Sequence, residues 1–263
     1  MRHVLVREDG DAVVVIGQAS HAWLSGQLAW AWGGDAVAPV EPREEVCLAA
    51  EQHDVGMALW DLAPSLNPET GRPRSFLEME LAVHLALWTA ASEHLLTQSR
   101  YAALLVSRHG TILYGRSDLD AMPPDRAEPI RAFLAQQREV QAGLIADLGI
   151  AESDVERNAK LVFAWDWLSL GLCLGWEEGD TPAVPLAGAD GRIHFVPTED
   201  GATLDPWPFA VPELEVHCDG RRLEGRYDDE AALHAALDRA PPVPQTFRLT
   251  RTGDQASPAR PRP

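Results

Sequence analysis

Apolar residues recur at intervals of three and four through most of the chain between positions 18 and 175. This period is typical of α-helices that bury one face. Clusters of Gly, Pro, Asn and Ser separate the periodic segments. The predicted helices cover about 20–32, 42–62, 76–96, 99–109, 125–148 and 153–174. Because each helix needs a partner for its apolar face, the pattern predicts a helical bundle over 18–175.

The two ends of the chain carry strand patterns instead. Apolar runs at 4–6 and 12–16 flank an Asp-Gly turn and predict an N-terminal β-hairpin over 1–17. Short strands are predicted at 192–196, 213–217 and 246–249, with a second hairpin turn at Asp219-Gly220. These runs predict a small β-rich part over 176–252 that packs on the bundle, followed by a disordered, Pro- and Arg-rich tail over 253–263. The predicted fold class is therefore mainly α.

Charge and cysteine content exclude several classes of function. The chain has 22 Lys and Arg against 40 Asp and Glu, a net charge of −18 that repels nucleic acids and anionic membranes. No apolar run reaches the roughly 18 residues of a membrane span. The three cysteines are far apart and form no CxxC pair, and Asp9 and Asp11 interrupt any signal-peptide core. We therefore expect a cytoplasmic protein.

Histidines and aspartates within the apolar helical segments are the candidates for chemistry. An ionised carboxylate on an apolar face, such as Asp166, needs a partner because unpaired burial costs several kcal/mol. Imidazole and carboxylate together suit one or two divalent transition metals, Fe, Mn, Zn or Ni. Each residue alone is also compatible with an ordinary core histidine or a structural ion pair. The candidate metal ligands are His21, His53, Asp54, His84, His109 and Asp166.

The order of these residues resembles the HD-domain superfamily of metal-dependent phosphohydrolases, in its two-metal branch. The string His53-Asp54-Val55-Gly56 is similar to the HD-x-G run of that branch. The strings at 101–110, 166–170 and 205–209 also resemble a bacterial family catalogued only as a domain of unknown function. The first resemblance implies an HD-like bundle with one ion on His21, His53, Asp54 and Asp166. It implies a second ion on His84 and His109, with Asp54 bridging.

The sequence departs from the HD pattern at one position. Many relatives have a Lys directly after HD-x-G, where it meets the anionic group of the substrate, but this chain has Met57. Arg108, beside His109, and Lys160, near Asp166, are the candidate replacements. On the helix that carries His84, His94 is the alternative ligand, and the apolar neighbours of His84 favour His84.

The expected function is that of a metal-dependent HD-like hydrolase. A metal-activated water would attack a phosphate ester in a small-molecule substrate, with Asp54, Arg108 and Lys160 as catalytic residues. A di-iron oxygenase of the same fold remains an alternative, as does a non-catalytic helical protein that binds a ligand or partner. A homodimer is one arrangement that the sequence leaves open.

Overall fold

The computed structural model describes residues 4–253, which form eight α-helices and eleven strands. The helices are α1 (Gln18–Ala31), α2 (Arg43–Gln52), α3 (Ala58–Asp61), α4 (Leu81–Leu95), α5 (Arg100–Gly115), α6 (Pro124–Leu148), α7 (Glu152–Leu174) and α8 (Glu230–Arg239). The strands are β1 (Leu5–Asp9), β2 (Ala12–Ile16), β3 (Leu66–Asn67), β4 (Arg72–Pro73), β5 (Gly179–Asp180), β6 (Val184–Pro185), β7 (Asp190–Gly191), β8 (His194–Pro197), β9 (Gly201–Asp205), β10 (Glu213–Glu224) and β11 (Pro242–Arg251). Two 3₁₀ turns cover Val55–Met57 and Phe76–Glu78.

Seven strands form one curled sheet, a half-barrel with the order β1-β2-β10-β11-β9-β8-β5. Its neighbouring strands are antiparallel except β11 and β9, which run parallel. The predicted hairpin at the N-terminus is present as β1 and β2, but β2 continues into the sheet by pairing with β10. The two ends of the chain therefore build a single sheet.

The prediction of a mainly α fold is wrong. The protein is about 49% helical and 23% strand, and its class is α/β. The difference comes largely from β10 and β11, which have 12 and 10 residues where the sequence indicated two short strands. Their exposed positions carry charged residues and prolines, which conceal the alternating burial of a long strand.

The second predicted hairpin turn, at Asp219-Gly220, is also wrong, because both residues lie inside β10. Gly220 faces the neighbouring strand β2, and a Cβ at this position would lie 2.9 Å from Cγ1 of Val14. The glycine therefore permits close packing between strands rather than a turn.

Two helix boundaries differ from the prediction in ways that affect the site. The helix predicted over 42–62 ends at Gln52 and resumes at Ala58. The helix predicted to end at 109 continues to Gly115, because Gly110 packs against Trp88 and Phe133 inside the helix instead of ending it. Glycine at such a position allows close contact between helices at a modest cost in helix propensity.

One hydrophobic core joins the helices to the sheet. Leu5 and Ile16 of the N-terminal strands and Val216 of β10 belong to the same buried cluster as Trp165 of α7. The proposed division into 1–17, 18–175 and 176–252 stays a prediction. The predicted tail, apart from Gly253, lies outside the described residues.

Within residues 4–253, no helix combines the length and the apolar character that crossing a membrane requires.

Candidate metal centre

Four helices bring five titratable side chains to one buried hollow. His21 comes from α1, His53 and Asp54 from the end of α2, His109 from α5 and Asp166 from α7. The histidines and Asp54 are almost fully buried, whereas the side chain of Asp166 keeps 14% of its surface exposed. Asp166 is therefore the member of this set through which solvent reaches the hollow.

The break after α2 allows two adjacent residues to face the same hollow. Neighbouring residues in a helix differ in direction by about 100°. Asp54 leaves the helical conformation, with φ −101° and ψ 15°, and its Oδ2 atom lies 3.7 Å from Nε2 of His53. Gly56 then lets the chain pass close to α4, since a Cβ there would lie 2.4 Å from the carbonyl oxygen of Leu87.

The distances within the set are those of a closed ligand cluster. Nε2 of His21 lies 2.7 Å from Oδ2 of Asp54, and Nε2 of His53 lies 3.3 Å from Oδ1 of Asp166. Nε2 of His109 lies 3.5 Å from Oδ2 of Asp166. Two groups, His21–His53–Asp54 and His53–His109–Asp166, each offer ligand atoms within 4.8 Å of one another. Ligand atoms around a tetrahedral ion are about 3.4 Å apart, so side-chain movements of about 1 Å would close either group around an ion.

Hydrogen bonding leaves His53 with one nitrogen for an ion. Its Nδ1–H donates to the carbonyl oxygen of Ala50 at 2.8 Å, and Nε2, which lies 3.3 Å from Oδ1 of Asp166, is the nitrogen left for an ion. A backbone carbonyl that fixes the tautomer in this way is typical of metal-binding histidines. Because both groups need the same Nε2 atom, we interpret them as one centre.

A serine pair lies behind the ring of His21. Ser25 donates to Oγ of Ser169, and Ser169 can donate its own proton to the carbonyl oxygen of Asp166. Oγ of Ser169 lies 2.9 Å from Nδ1 of His21, so it can accept the Nδ1 proton when Nε2 holds an ion. Nε2 of His21 forms a hydrogen bond of 2.7 Å with Oδ2 of Asp54, and a metal ion on Nε2 would take the place of the proton between them.

Three polar atoms of the cluster residues have no hydrogen-bond partner among the described residues. They are Nε2 of His53, Oδ1 of Asp54 and Nδ1 of His109. Leaving buried polar groups unpaired costs about 1–3 kcal/mol each, and more when the group is charged. Nε2 of His53 and Oδ1 of Asp54 are an imidazole nitrogen and a carboxylate oxygen, which are donors that a divalent transition metal accepts.

The pKa values in the cluster result from burial, which opposes charge, and from the attraction between two carboxylates and the neighbouring imidazoles. Burial opposes a charge on His53, but Asp54 and Asp166 outweigh it and raise its pKa to about 9. Burial also opposes the Asp166 charge, yet the imidazoles of His53 and His109 lower its pKa to about 2. Burial lowers the pKa of His109 to about 4, with Asp166 only partly opposing it. A proton on His53 therefore provides the positive charge in this state, and a metal ion on Nε2 has to displace it.

The structure does not bring His84 into the cluster. Nε1 of Trp88 donates to Nε2 of His84 at 2.9 Å, so Nδ1 carries the His84 proton and lies 2.6 Å from the hydroxyl of Tyr114. Trp88 packs on the ring of His109, with the centroids 5.0 Å apart. His84 therefore supports the packing beside His109, and both of its ring nitrogens are engaged in hydrogen bonds. The alternative, His94, is exposed.

The two predicted cationic catalytic residues also lie outside the cluster. Arg108 pairs with Glu152 and Lys160 pairs with Asp190, in both cases at the surface. Met57, at the position of the HD lysine, is buried and accepts a hydrogen bond from Gln18 through its sulfur. None of these three side chains is placed to meet a substrate beside Asp166.

Sequence reasoning missed several residues that shape the centre. For Ser169 the sequence predicts only a hydrogen bond within its own helix, which is present to the carbonyl oxygen of Asp166. Its contact with His21 was not predicted, although its spacing of three residues from Asp166 places both on one helical face. Phe163 lies three residues before Asp166, and its ring centroid is 5.2 Å from that of His109. Ser25 follows His21 by four residues and belongs to the same pattern.

Comparison with known proteins shows the family. The family model described as "Protein of unknown function (DUF3891)" matches residues 4–225, and the chain belongs to this family. The matched region contains the cluster described above. Neither the curated proteins nor the solved structures contain a match to the chain.

Proposed function

We propose that the protein is a metal-dependent hydrolase with one divalent transition metal ion held by His21, His53, Asp54, His109 and Asp166. The observation that carries this proposal is the convergence of these buried side chains, three of them with unpartnered atoms, in one hollow. Histidine and carboxylate donors favour Fe, Mn, Zn or Ni over Mg or Ca.

A bound ion of this kind supplies a water acidified toward neutral pH and polarises the oxygen of an ester. The residues of the chain hold and orient the groups around it. Ser169 and the Ala50 carbonyl would accept the Nδ1 protons of His21 and His53, so that the Nε2 atom of each ring is available to the ion. Asp54 keeps Oδ1 without a hydrogen-bond partner, where it can accept a proton from a nucleophilic water.

The substrate class that we propose is a small phosphate ester. The similarity of His53-Asp54-Val55-Gly56 to the HD-x-G run supports this choice. The four ligands that this resemblance implies for the first ion also lie in one cluster: His21, His53, Asp54 and Asp166. The two buried carboxylates would repel a phosphate unless a cation lay between them and the phosphate, and the ion would provide that cation.

The three free cysteines support a reducing, cytoplasmic setting.

The test is metal analysis followed by an activity screen. Protein made without a polyhistidine tag should contain close to one Fe, Mn, Zn or Ni ion per chain. His53→Ala and Asp166→Asn should each lose it, and His94→Ala, an exposed histidine in α4, should keep it. The metal-loaded protein should hydrolyse p-nitrophenyl phosphate or bis(p-nitrophenyl) phosphate, and the His53→Ala protein should not.

Two results would contradict the proposal. A wild-type protein that binds none of these ions after gentle purification and reloading has no metal centre, and a non-catalytic binding role then becomes the better account. A metal-loaded protein that cleaves no phosphate ester in a broad screen removes the proposed reaction but keeps the metal site.

A further inference from the structure

Arg116 lies on the face of α5 that carries His109. Seven residues separate the two, which corresponds to about two helical turns and about 10 Å along the helix axis. The guanidinium of Arg116 lies over the ring of Phe163, 5.4 Å from its centroid. Phe163 also packs against His109 and shares a helical face with Asp166, so its ring connects Arg116 to the side of the cluster that carries the partly exposed Asp166.

Arg116 differs from Arg108 and Lys160, the two cations that the sequence suggested, because no carboxylate forms an ion pair with it among the described residues. Arg108 and Lys160 are paired with Glu152 and Asp190. The acidic residues that follow Arg116 are engaged elsewhere. Asp118 accepts hydrogen bonds from two backbone amides of its own loop, and Asp120 pairs with Arg131.

In a chain with a net charge of −18, an unpaired guanidinium held in place by an aromatic ring is a specific electrostatic feature. Stacking on Phe163 restrains the side chain and leaves its N–H donors free for an anion. A planar guanidinium binds phosphate or carboxylate oxygens through two parallel hydrogen bonds.

We infer that Arg116 forms an anion subsite next to the metal centre, so that the substrate carries a second anionic group at a distance from the phosphate ester that is cleaved. This inference rests on the proposed function. It assigns to Arg116 the substrate contact that the sequence suggested for Arg108 and Lys160. The substrate class is then a phosphate ester whose far end bears a phosphate or a carboxylate.

Two synthetic probes separate the subsite from the metal centre. n-Hexyl phosphate carries one phosphate, and 1,6-hexanediol bisphosphate carries two, separated by a chain that spans a similar length to the gap between His109 and Arg116. Calorimetric titration of the metal-loaded protein should show roughly tenfold tighter binding of the bisphosphate, as one added charge-assisted contact provides. Both probes should lose binding when the metal is removed.

Variants assign the difference to one residue. Arg116→Gln should remove the tenfold preference and leave the binding of n-hexyl phosphate, the metal content and the melting temperature close to those of the wild type. Arg116→Lys should keep part of the preference. Arg138→Gln, at an exposed position in α6, is the matched control and should change nothing.

The outcomes distinguish the two proposals. If n-hexyl phosphate binds only to the metal-loaded protein but the bisphosphate binds no tighter, or if Arg116→Gln keeps the preference, the subsite is refuted and the metal centre stands. If Arg116→Gln lowers only the melting temperature, the residue serves the C-terminus of α5 and the inference is wrong. If neither probe binds in the presence of metal, the subsite and the proposed phosphate-ester substrate are both refuted, and the metal analysis alone decides whether the metal centre stands.

Discussion

Replacing Ser169 by Ala tests whether the centre depends on the hydrogen bonds behind its ligands. The change removes the oxygen that lies 2.9 Å from Nδ1 of His21, where it would accept the Nδ1 proton of a metal-bound ring, and that accepts the Ser25 hydroxyl at 2.8 Å. Ser25 can turn to the carbonyl oxygens of His21 and Trp165, both 3.4 Å away, so the loss falls on His21. An unpartnered buried donor costs about 1–3 kcal/mol.

The expected result is a metal affinity that is lower by about 10- to 100-fold, the usual effect of removing a group that orients a histidine ligand. This corresponds to about 1.4–2.7 kcal/mol. Affinity is measured by competition with a chromophoric chelator, using Zn²⁺ as the probe. Ser169→Thr keeps the hydroxyl and should recover much of the affinity.

Ser92→Ala provides a matched control, because Ser92 is equally buried and donates one hydrogen bond, to the carbonyl oxygen of Ala103, away from the cluster. Both alanine variants should lose stability in the presence of a chelator, but only Ser169→Ala should lose metal affinity. A Ser169→Ala protein that binds Zn²⁺ within threefold of the wild type would refute a role for Ser169 in orienting His21 as a ligand.

Three further predictions concern the surroundings of the centre. Gly56→Ala forces a Cβ to 2.4 Å from a backbone oxygen of α4, so it should lower the free energy of unfolding in urea by about 2–4 kcal/mol. The control Gly143→Ala has open space around the new Cβ and should be neutral or stabilising by up to about 1 kcal/mol. His84→Ala should leave one metal ion per chain in elemental analysis but lower the melting temperature, because it leaves an indole and a phenol without their partner; loss of the ion would contradict the placement of His84 outside the cluster. Burial raises the pKa of Asp61 to about 7, so its contribution to the free energy of unfolding is full below about pH 4 and is lost as the pH rises through 7. Asp61→Asn should remove this decline, which amounts to at most about 4 kcal/mol. A wild-type free energy of unfolding in urea that does not change between pH 4 and 8 would show that the carboxyl is not buried.

Helices with a continuous apolar period were predictable from the sequence. The segment predicted over 125–148 forms α6 at Pro124–Leu148, and that over 153–174 forms α7 at Glu152–Leu174. Glycines were the main source of error, since Gly110 and Gly220 read as breaks. Each instead allows a neighbouring element to pack closely, a tertiary contact that local sequence does not reveal.

The site was predictable to the extent that ligands follow from residue type and buried helical faces. Five of the six predicted ligands meet, and the sixth, His84, was chosen because its neighbours are apolar. The apolar neighbours of His84 did not make it a ligand, because both of its ring nitrogens form hydrogen bonds, one with Trp88 and one with Tyr114. Arg116 was overlooked because the predicted helix ended before it, at 109.

The pairing of β2 with β10 has a consequence for biosynthesis. All five residues of β2 are buried. One edge of β2 pairs with β1, but its other edge pairs with β10, which is about 200 residues later in the chain. At 5–20 residues per second a ribosome needs roughly 10–40 s to deliver that partner. Throughout this interval the nascent chain exposes an apolar, β-prone segment, which makes it a candidate client for chaperones that bind to emerging polypeptides.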